Sequence, residues 1–516
     1  MKACIPESVK SSLLQRAVLC VCAASFLLCG LERPLLAQDA APDLAQQVHQ
    51  LSDALAHAQS QLEQSQRELE ELRNQLTAMQ LQLAARGAAP APRPAPSAAS
   101  AAAPTPAGAN DEMHERLAVA ESEIATHEQS KVESSSRYPV KITGMLLFNS
   151  FINTSGVNLS ATPTVALGGG GSTGASIRQT ILGFDARGPK LFGAESSADL
   201  RVDFFGIGQG SGDGGAFAGA YSGSGALLRL RTAHAVLDWR RTQLAFALDR
   251  PLISPDTPTS LTAVAEPALA WSGNLWTWNP QLELTHDLDL SKRSRLRMQA
   301  ALIDVADSPF TPQLSASSAG SNEQSRWPGA EARIAFVRDE DVGEDTHLGI
   351  GGYFAPHHLA PGLDFDSWAA SLDASLHLGS HLLWTASAYR GLALGGLGGG
   401  TYKDIAYYTN AMNETYIRPL DDVGGWVQLK ERIGSRLEFN EAFGTDQVFA
   451  DQLRRYAASG DAYQNLVAAR TWTGNVLYRP SAYLLFSLEY RRLIDAWALG
   501  SPTAANILGL AAGYRF

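Results

Sequence analysis

Cysteine is missing from almost the whole chain. The four that occur (Cys4, Cys20, Cys22, Cys29) lie within the first 30 of 516 residues. A mature chain starting after them has no thiol, which excludes cysteine nucleophiles, thiolate-bound zinc and iron–sulfur clusters. Charge is sparse, at 18% of residues against about 25% in ordinary soluble domains. The balance is acidic, −11 overall, with an isoelectric point near 5.5. That argues against a broad nucleic-acid surface, so no nucleic-acid partner is expected. Lysine is scarce late in the chain: of 30 basic residues after Tyr138, 25 are arginine. No apolar run of 18 or more follows the leader, so helical spanning of a bilayer is excluded. There is no HExxH and no P-loop lysine motif. Gly170-Gly171-Ser172-Thr173-Gly174 has no helix after it, and Gly210, Gly212 and Gly215 have no βαβ context. No catalytic residue, metal or cofactor is therefore expected, and the chain is not read as an enzyme.

What is present begins with an address. Lys2, Lys10 and Arg16 precede an apolar run from Ala17 to Leu28, and Leu35-Leu36-Ala37 offers a small residue for cleavage. Residues 1–37 read as a secretory signal peptide. Residues 38–85 carry a heptad seam: Leu44, Val48, Leu51, Leu55, Ala58, Leu62, Ser65, Leu69, Leu72, Leu76, Met79 and Leu83 alternate steps of four and three. So narrow a seam needs partner helices, and a coiled coil is expected. Residues 86–110 are rich in Ala, Pro and Ser and read as a semi-rigid spacer. Met113, Leu117, Ala120, Ile124 and His127 repeat the seam over 111–137, predicting a short helix and a second coiled-coil segment.

From residue 138 to 516 the period changes to two. Ala198, Leu200, Val202 and Phe204 alternate with Asp199, Arg201 and Asp203. Leu296, Met298, Ala300 and Leu302 alternate with Arg295, Arg297 and Gln299. The pattern predicts 16 strands, many of ten to thirteen residues, near the 9–11 that cross a bilayer when tilted. Long connections are expected at 154–176, 206–226, 251–280, 306–328, 357–365, 393–420, 445–467 and 494–502, with short ones between them. That rhythm predicts an all-β transmembrane barrel of about 16 antiparallel strands, preceded by the coiled coil and the Pro/Ala-rich linker. With long loops outside, both barrel ends and the coiled coil face the periplasm. The last strand, Leu508, Leu510, Ala512, Tyr514 and Phe516, resembles the C-terminal signal of bacterial outer-membrane proteins. That resemblance implies recognition of Phe516 by the barrel-assembly machinery of a Gram-negative-type cell. All ten Trp follow residue 238, as aromatic girdles would require.

Signal, coiled coil, linker and barrel in this order resemble the DcaP-like trimeric outer-membrane porins. So do the segments Gly424-Gly425-Trp426-Val427-Gln428-Leu429, Gly444-Thr445-Asp446 and Ser487-Leu488-Glu489-Tyr490. The phosphate-selective porin O/P family is a close neighbour. The resemblance spans about residue 40 to 516 and implies a homotrimer with a preference for anionic solutes.

Sixteen strands leave a lumen too wide for side chains to fill. The expected function is passive diffusion of small hydrophilic solutes through a water-filled channel. The alternation assigns Arg201, Arg229, Arg231, Arg297, Arg333, Arg436 and Arg491 to the pore lining, with Asp199, Asp203, Glu283, Asp287, Glu331, Glu438 and Glu489 as inward acids. Arginine forks suit carboxylate and phosphate and stay charged when partly desolvated. By resemblance to general porins, the third long loop, with Asp256, Glu266, Trp271, Trp276 and Trp278, is the candidate constriction. The bland alternative is that the three Trp anchor that loop or the rim. A second functional reading is an envelope tether, in which the barrel anchors a periplasmic coiled coil. Expected partners are outer-membrane lipids, copies of the same chain, the assembly machinery and, for the coiled coil, peptidoglycan.

Overall fold

A computed structural model describes residues 139–206, 227–312, 314, 318–340, 344–412, 414–454, 456 and 463–516. The signal peptide, coiled coils and linker expected over 1–137 lie outside the described residues, as does most of the second long connection. The strands are β1 (Val140–Asn153), β2 (Ser172–Ser176), β3 (Ile181–Arg187), β4 (Glu195–Gly206), β5 (Leu227–Trp239), β6 (Thr242–Asp249), β7 (Asn279–Asp289), β8 (Ser294–Ile303), β9 (Gly329–Arg338), β10 (Thr346–Ala360), β11 (Leu363–His377), β12 (Leu382–Leu392), β13 (Ile405–Thr409), β14 (Thr415–Pro419), β15 (Asp421–Ile433), β16 (Leu437–Val448), β17 (Leu466–Tyr478), β18 (Leu484–Trp497) and β19 (Thr503–Arg515).

Strand β9 shows why these sequences make a wall. Ala330, Ala332, Ile334 and Phe336 are exposed, while Glu331, Arg333, Ala335 and Val337 are buried. Apolar side chains thus face outward and the polar ones inward, the reverse of a soluble sheet. The outer face continues with Phe486, Leu488, Leu508 and Leu510, all largely exposed.

Seventeen segments join one sheet, each antiparallel to its neighbours. Two of them, β2 and β3, pair in turn with the same edge of β1, so they fill one wall position and the barrel has 16. Residues 177–180 interrupt that position, and the Thr180 hydroxyl accepts the Leu147 N–H there at 3.1 Å. The barrel closes where β1 pairs with β19, from Met145 opposite Arg515 to Asn153 opposite Ile507. Gly144 and Phe516 exchange backbone hydrogen bonds of 3.0 and 3.1 Å beyond that register. Closure pairs every strand edge, as a wall facing lipid requires.

Two connections differ from expectation. Strands β10 and β11 run on to Ala360 and from Leu363, so the loop expected at 357–365 is a two-residue turn with Gly362 at φ +80°. His357 and His358 therefore sit in a strand and point to opposite faces. His357 stacks on Phe365 at 4.6 Å, and His358 pairs with Asp364 at 2.5 Å. The long connection 393–420 contains its own hairpin, β13–β14, whose five-residue strands are too short to show a period.

Candidate functional site

The third long connection, 250–278, turns into the barrel. Its Leu252 N–H donates to Glu331 of β9 at 2.5 Å. Asp256 meets His347 of β10 at 2.9 Å. The Thr259 N–H donates to Gln428 of β15 at 2.6 Å, and the Thr259 carbonyl accepts Asn475 of β17 at 2.8 Å. The Ser260 hydroxyl donates to Glu489 of β18 at 2.5 Å, and the Leu261 carbonyl accepts Asn149 of β1 at 2.8 Å. Arg231 and Arg229 of β5 then donate to the carbonyls of Val264 and Ala265 at 2.7 and 2.6 Å. All these partners lie on inner faces, so the loop is held inside the wall on several sides.

Packing follows the same path. Leu261 joins Leu147, Leu477, Leu485 and Ala511 in one buried cluster, and Ile253 joins Tyr353, Ala355 and Tyr389 in another. Gly273 adopts φ +97°, and a Cβ there would come within 2.2 Å of the Gly425 carbonyl oxygen. A Cβ on Gly444 would come within 2.2 Å of the Ser272 oxygen. Leu269 packs on Trp426 and Ala442 beside them. Gly425, Trp426 and Gly444 are thus the surface on which this part of the loop rests.

The charged lining is extensively paired. Arg201 meets Asp185 at 2.5 Å and Asp199 at 3.8 Å. Asp203, with no exposed side-chain surface, takes both Arg229 at 2.6 Å and Arg231 at 2.9 Å. Arg297 meets Asp287 at 2.7 Å, and Arg333 meets Asp373 at 2.5 Å. Arg491 meets Glu489 at 2.5 Å and also donates to the Pro163 carbonyl at 3.1 Å. Glu438 receives Arg432 and Arg479 at 3.4 and 3.2 Å. Each of these arginines combines positional value with local neutralisation. Arg436 is placed differently: it lies exposed in the turn between β15 and β16, where its carbonyl accepts the Arg479 N–H at 2.7 Å. The strand expected from residue 435 starts only at Leu437, so Arg436 belongs to the turn.

Asp256, His347 and Asp373 bring three ligand atoms within 4.8 Å of one another. Arg333 occupies both oxygens of Asp373, at 2.9 and 2.5 Å. A guanidinium so close opposes a divalent cation, and the group acts as a latch between the third loop and β10–β11.

The three loop tryptophans form part of an aromatic cluster with residues of other connections. Trp271 lies 5.7 Å from Phe310, 5.1 Å from Tyr402 and 5.9 Å from Tyr463, while Trp276 lies 5.5 Å from Trp278. Trp271 and Trp276 are buried, so they anchor the loop and do not serve as girdle residues. Trp278 is capped by Arg229 and Arg231 at 5.2 and 4.8 Å, a cation–π arrangement. Glu266 is half-buried in the loop, with one inaccessible carboxylate oxygen lacking a partner. Burial pushes its carboxyl up to about 7, against the opposing pull of Arg229.

Sequence reasoning about charge missed the neutral residues that hold the loop. Gln179 is fully buried. Its amide donates to the Thr262 carbonyl at 3.0 Å, and its carbonyl oxygen accepts the Val264 and Ala265 N–H groups at 2.7 and 3.0 Å. It sits in the break between β2 and β3, where interrupted pairing re-aims a side chain. Asn149, Gln428 and Asn475 occupy inward positions of regular alternation, which was the one available signal.

No protein-family model and no curated protein sequence matches the chain. Solved structures do match. One is the outer membrane channel DcaP of Acinetobacter baumannii, at TM-score 0.55 and 16% identity, covering 74% of this chain and 99% of that one. Another is the anion-selective porin from Comamonas acidovorans, at TM-score 0.44 and 11% identity, covering 74% and 100%. The first likeness establishes that this chain has the DcaP channel fold; the second is too loose to add weight.

Proposed function

We propose that the chain is an outer-membrane porin that lets small hydrophilic solutes diffuse passively through its lumen. One observation carries the reading: a closed wall of 16 positions is apolar outside and polar inside, with a loop held inside it. An apolar outer face requires lipid around it, and a polar inner face requires water within it. A barrel serving only as an anchor needs no polar lumen of this width. The solved structure of TM-score 0.55 is itself a channel, which favours transport over catalysis.

The third loop narrows the lumen in this reading, and Asp256 and Glu266 belong to the narrowing. Residues Arg201, Arg229, Arg231, Arg297, Arg333 and Arg491, with Asp199, Asp203, Glu438 and Glu489, form the charged lining. An anion preference would need arginines free to meet solute. The carboxylate partner of each of these six argues against a simple arginine ladder.

The assembly proposed is a homotrimer in the outer membrane of a Gram-negative-type cell, inserted through recognition of the strand ending in Phe516. The coiled coil would lie in the periplasm, where attachment to peptidoglycan would make the tether a second task of the same molecule. Swelling of liposomes containing the full chain tests the porin reading. Arabinose and glucose should enter and swell the vesicles, whereas a large dextran should not. Vesicles that stay osmotically tight to all three, with folded barrel present, contradict it.

A further inference from the structure

Glu283 of β7, Ala301 of β8 and Glu331 of β9 stand in register across three neighbouring strands. Ala245 of β6 stands opposite Glu283 on the other side. Two inward carboxylates thus flank a floor of alanine, with no long side chain between them. Their hydrogen bonding is incomplete. Glu331 is 4% exposed; one oxygen takes the Leu252 N–H, and the other has no partner. Gln281, one inward position from Glu283 and 6% exposed, gives its amide to the Arg250 carbonyl at 2.8 Å, and its own oxygen has no partner. Glu283 is half-buried and makes no ion pair or side-chain hydrogen bond among the described residues.

Most of the positive charge nearby is committed elsewhere. The Arg250 guanidinium donates to the Pro255 carbonyl at 2.8 Å through one terminal nitrogen, while the other is buried without a partner. His234 bridges Asp199 and Asp249 at 3.1 and 3.0 Å. Arg297 is held by Asp287 at 2.7 Å. The result is a niche beside the third loop in which acceptors outnumber donors. Buried acceptors are costly when left unpaired, and carboxylates more so. A cation with N–H donors supplies what the wall lacks.

Resting on the porin reading, we propose that the half-buried Glu283, in the field of the buried Glu331 and Gln281, forms a subsite for the positively charged group of a passing solute, an alkylammonium or guanidinium. The subsite biases the channel toward cations, as charged rings do in selective pores. Residues 139–516 carry 36 acidic against 30 basic side chains, a balance that acts in the same direction.

The test uses the full chain in planar bilayers with a potassium chloride gradient. The reversal potential should favour potassium over chloride. Glu283→Gln and Glu331→Gln should each lower that permeability ratio by about twofold or more. Glu441→Gln, which removes the same charge from the exposed outer face of β16, should leave the ratio unchanged. Guanidinium chloride should reduce potassium current in the unaltered protein and have less effect on Glu283→Gln. If Glu331→Gln fails to insert, Glu283→Gln alone decides, because its carboxylate holds nothing in place. A chloride-favouring reversal potential, or a ratio untouched by Glu283→Gln, overturns the subsite. A folded protein that passes no current overturns the porin reading itself, and the subsite with it.

Discussion

Glu489 of β18 accepts the hydroxyl of Ser260 at 2.5 Å, joining the third loop to a strand 229 residues later in the chain. The same carboxylate takes Arg491 at 2.5 Å, and Arg491 also reaches the Pro163 carbonyl of the first long connection. Two loops and one wall strand are therefore held by a single buried pair.

Arg491→Ala should be strongly destabilising. Glu489 is 1% exposed, and an uncompensated buried charge costs about 3–5 kcal/mol. The check is the temperature at which the detergent-folded barrel loses its compact electrophoretic mobility. It should fall clearly below that of the unaltered protein. An unchanged transition would mean that Glu489 is satisfied without the guanidinium.

Deleting residues 258–268 should raise single-channel conductance. That stretch carries Thr259, Ser260 and Leu261, which hold the loop to β15, β17, β18 and β1. The same conductance from a folded deletion variant would remove the loop from the role of constriction.

Gly273→Val should release the far half of the third loop from the wall. The position has φ +97°, where a β-branched residue is strained, and a Cβ would meet the Gly425 oxygen. Hydrogen exchange should quicken over 268–276, including at Trp276, whose N–H donates to the Leu397 carbonyl. Exchange as slow as in the unaltered protein would contradict the close backbone contact.

Docking of the connection 393–420 should weaken with rising pH. Burial pushes the Asp404 carboxyl up to about 7, despite hydrogen bonds from the Gly396 and Ser308 N–H groups. Because its folded value is raised, Asp404 contributes most below the ordinary carboxylate range, and that contribution is lost as pH rises through about 7. Proteolysis within this connection should be faster at pH 8.5 than at pH 5.5, and the difference should shrink in Asp404→Asn. Equal rates at both pH values in the unaltered protein would contradict this.

Much of the wall was legible because its period is two and its outer face must be apolar. Strands such as β9 and β18 reveal which side meets lipid by alternation alone. Positions like Arg333 and Glu489 could therefore be placed inward, but alternation cannot pair Arg333 with Asp373 two strands away. Nor can it show that Gln179 would hold three backbone groups, because the break at 177–180 replaces the period with an irregular conformation. Arg436 shows the converse limit. A turn that ends two residues later than the alternation predicts moves a side chain from the wall to the surface. The segments 424–429 and 444–446, unspecific as short motifs, gain a physical reason in the backbone of Ser272 and Gly273 resting on them.

The central claim is a water-filled lumen that the third loop narrows without closing. Single-channel recording of the full chain in a planar bilayer at neutral pH tests it most directly. Discrete current steps are expected, grouped in threes if three copies insert together. Protein that retains its β-sheet signal and compact mobility but passes no current would contradict it, and would leave the barrel as an anchor for the coiled coil.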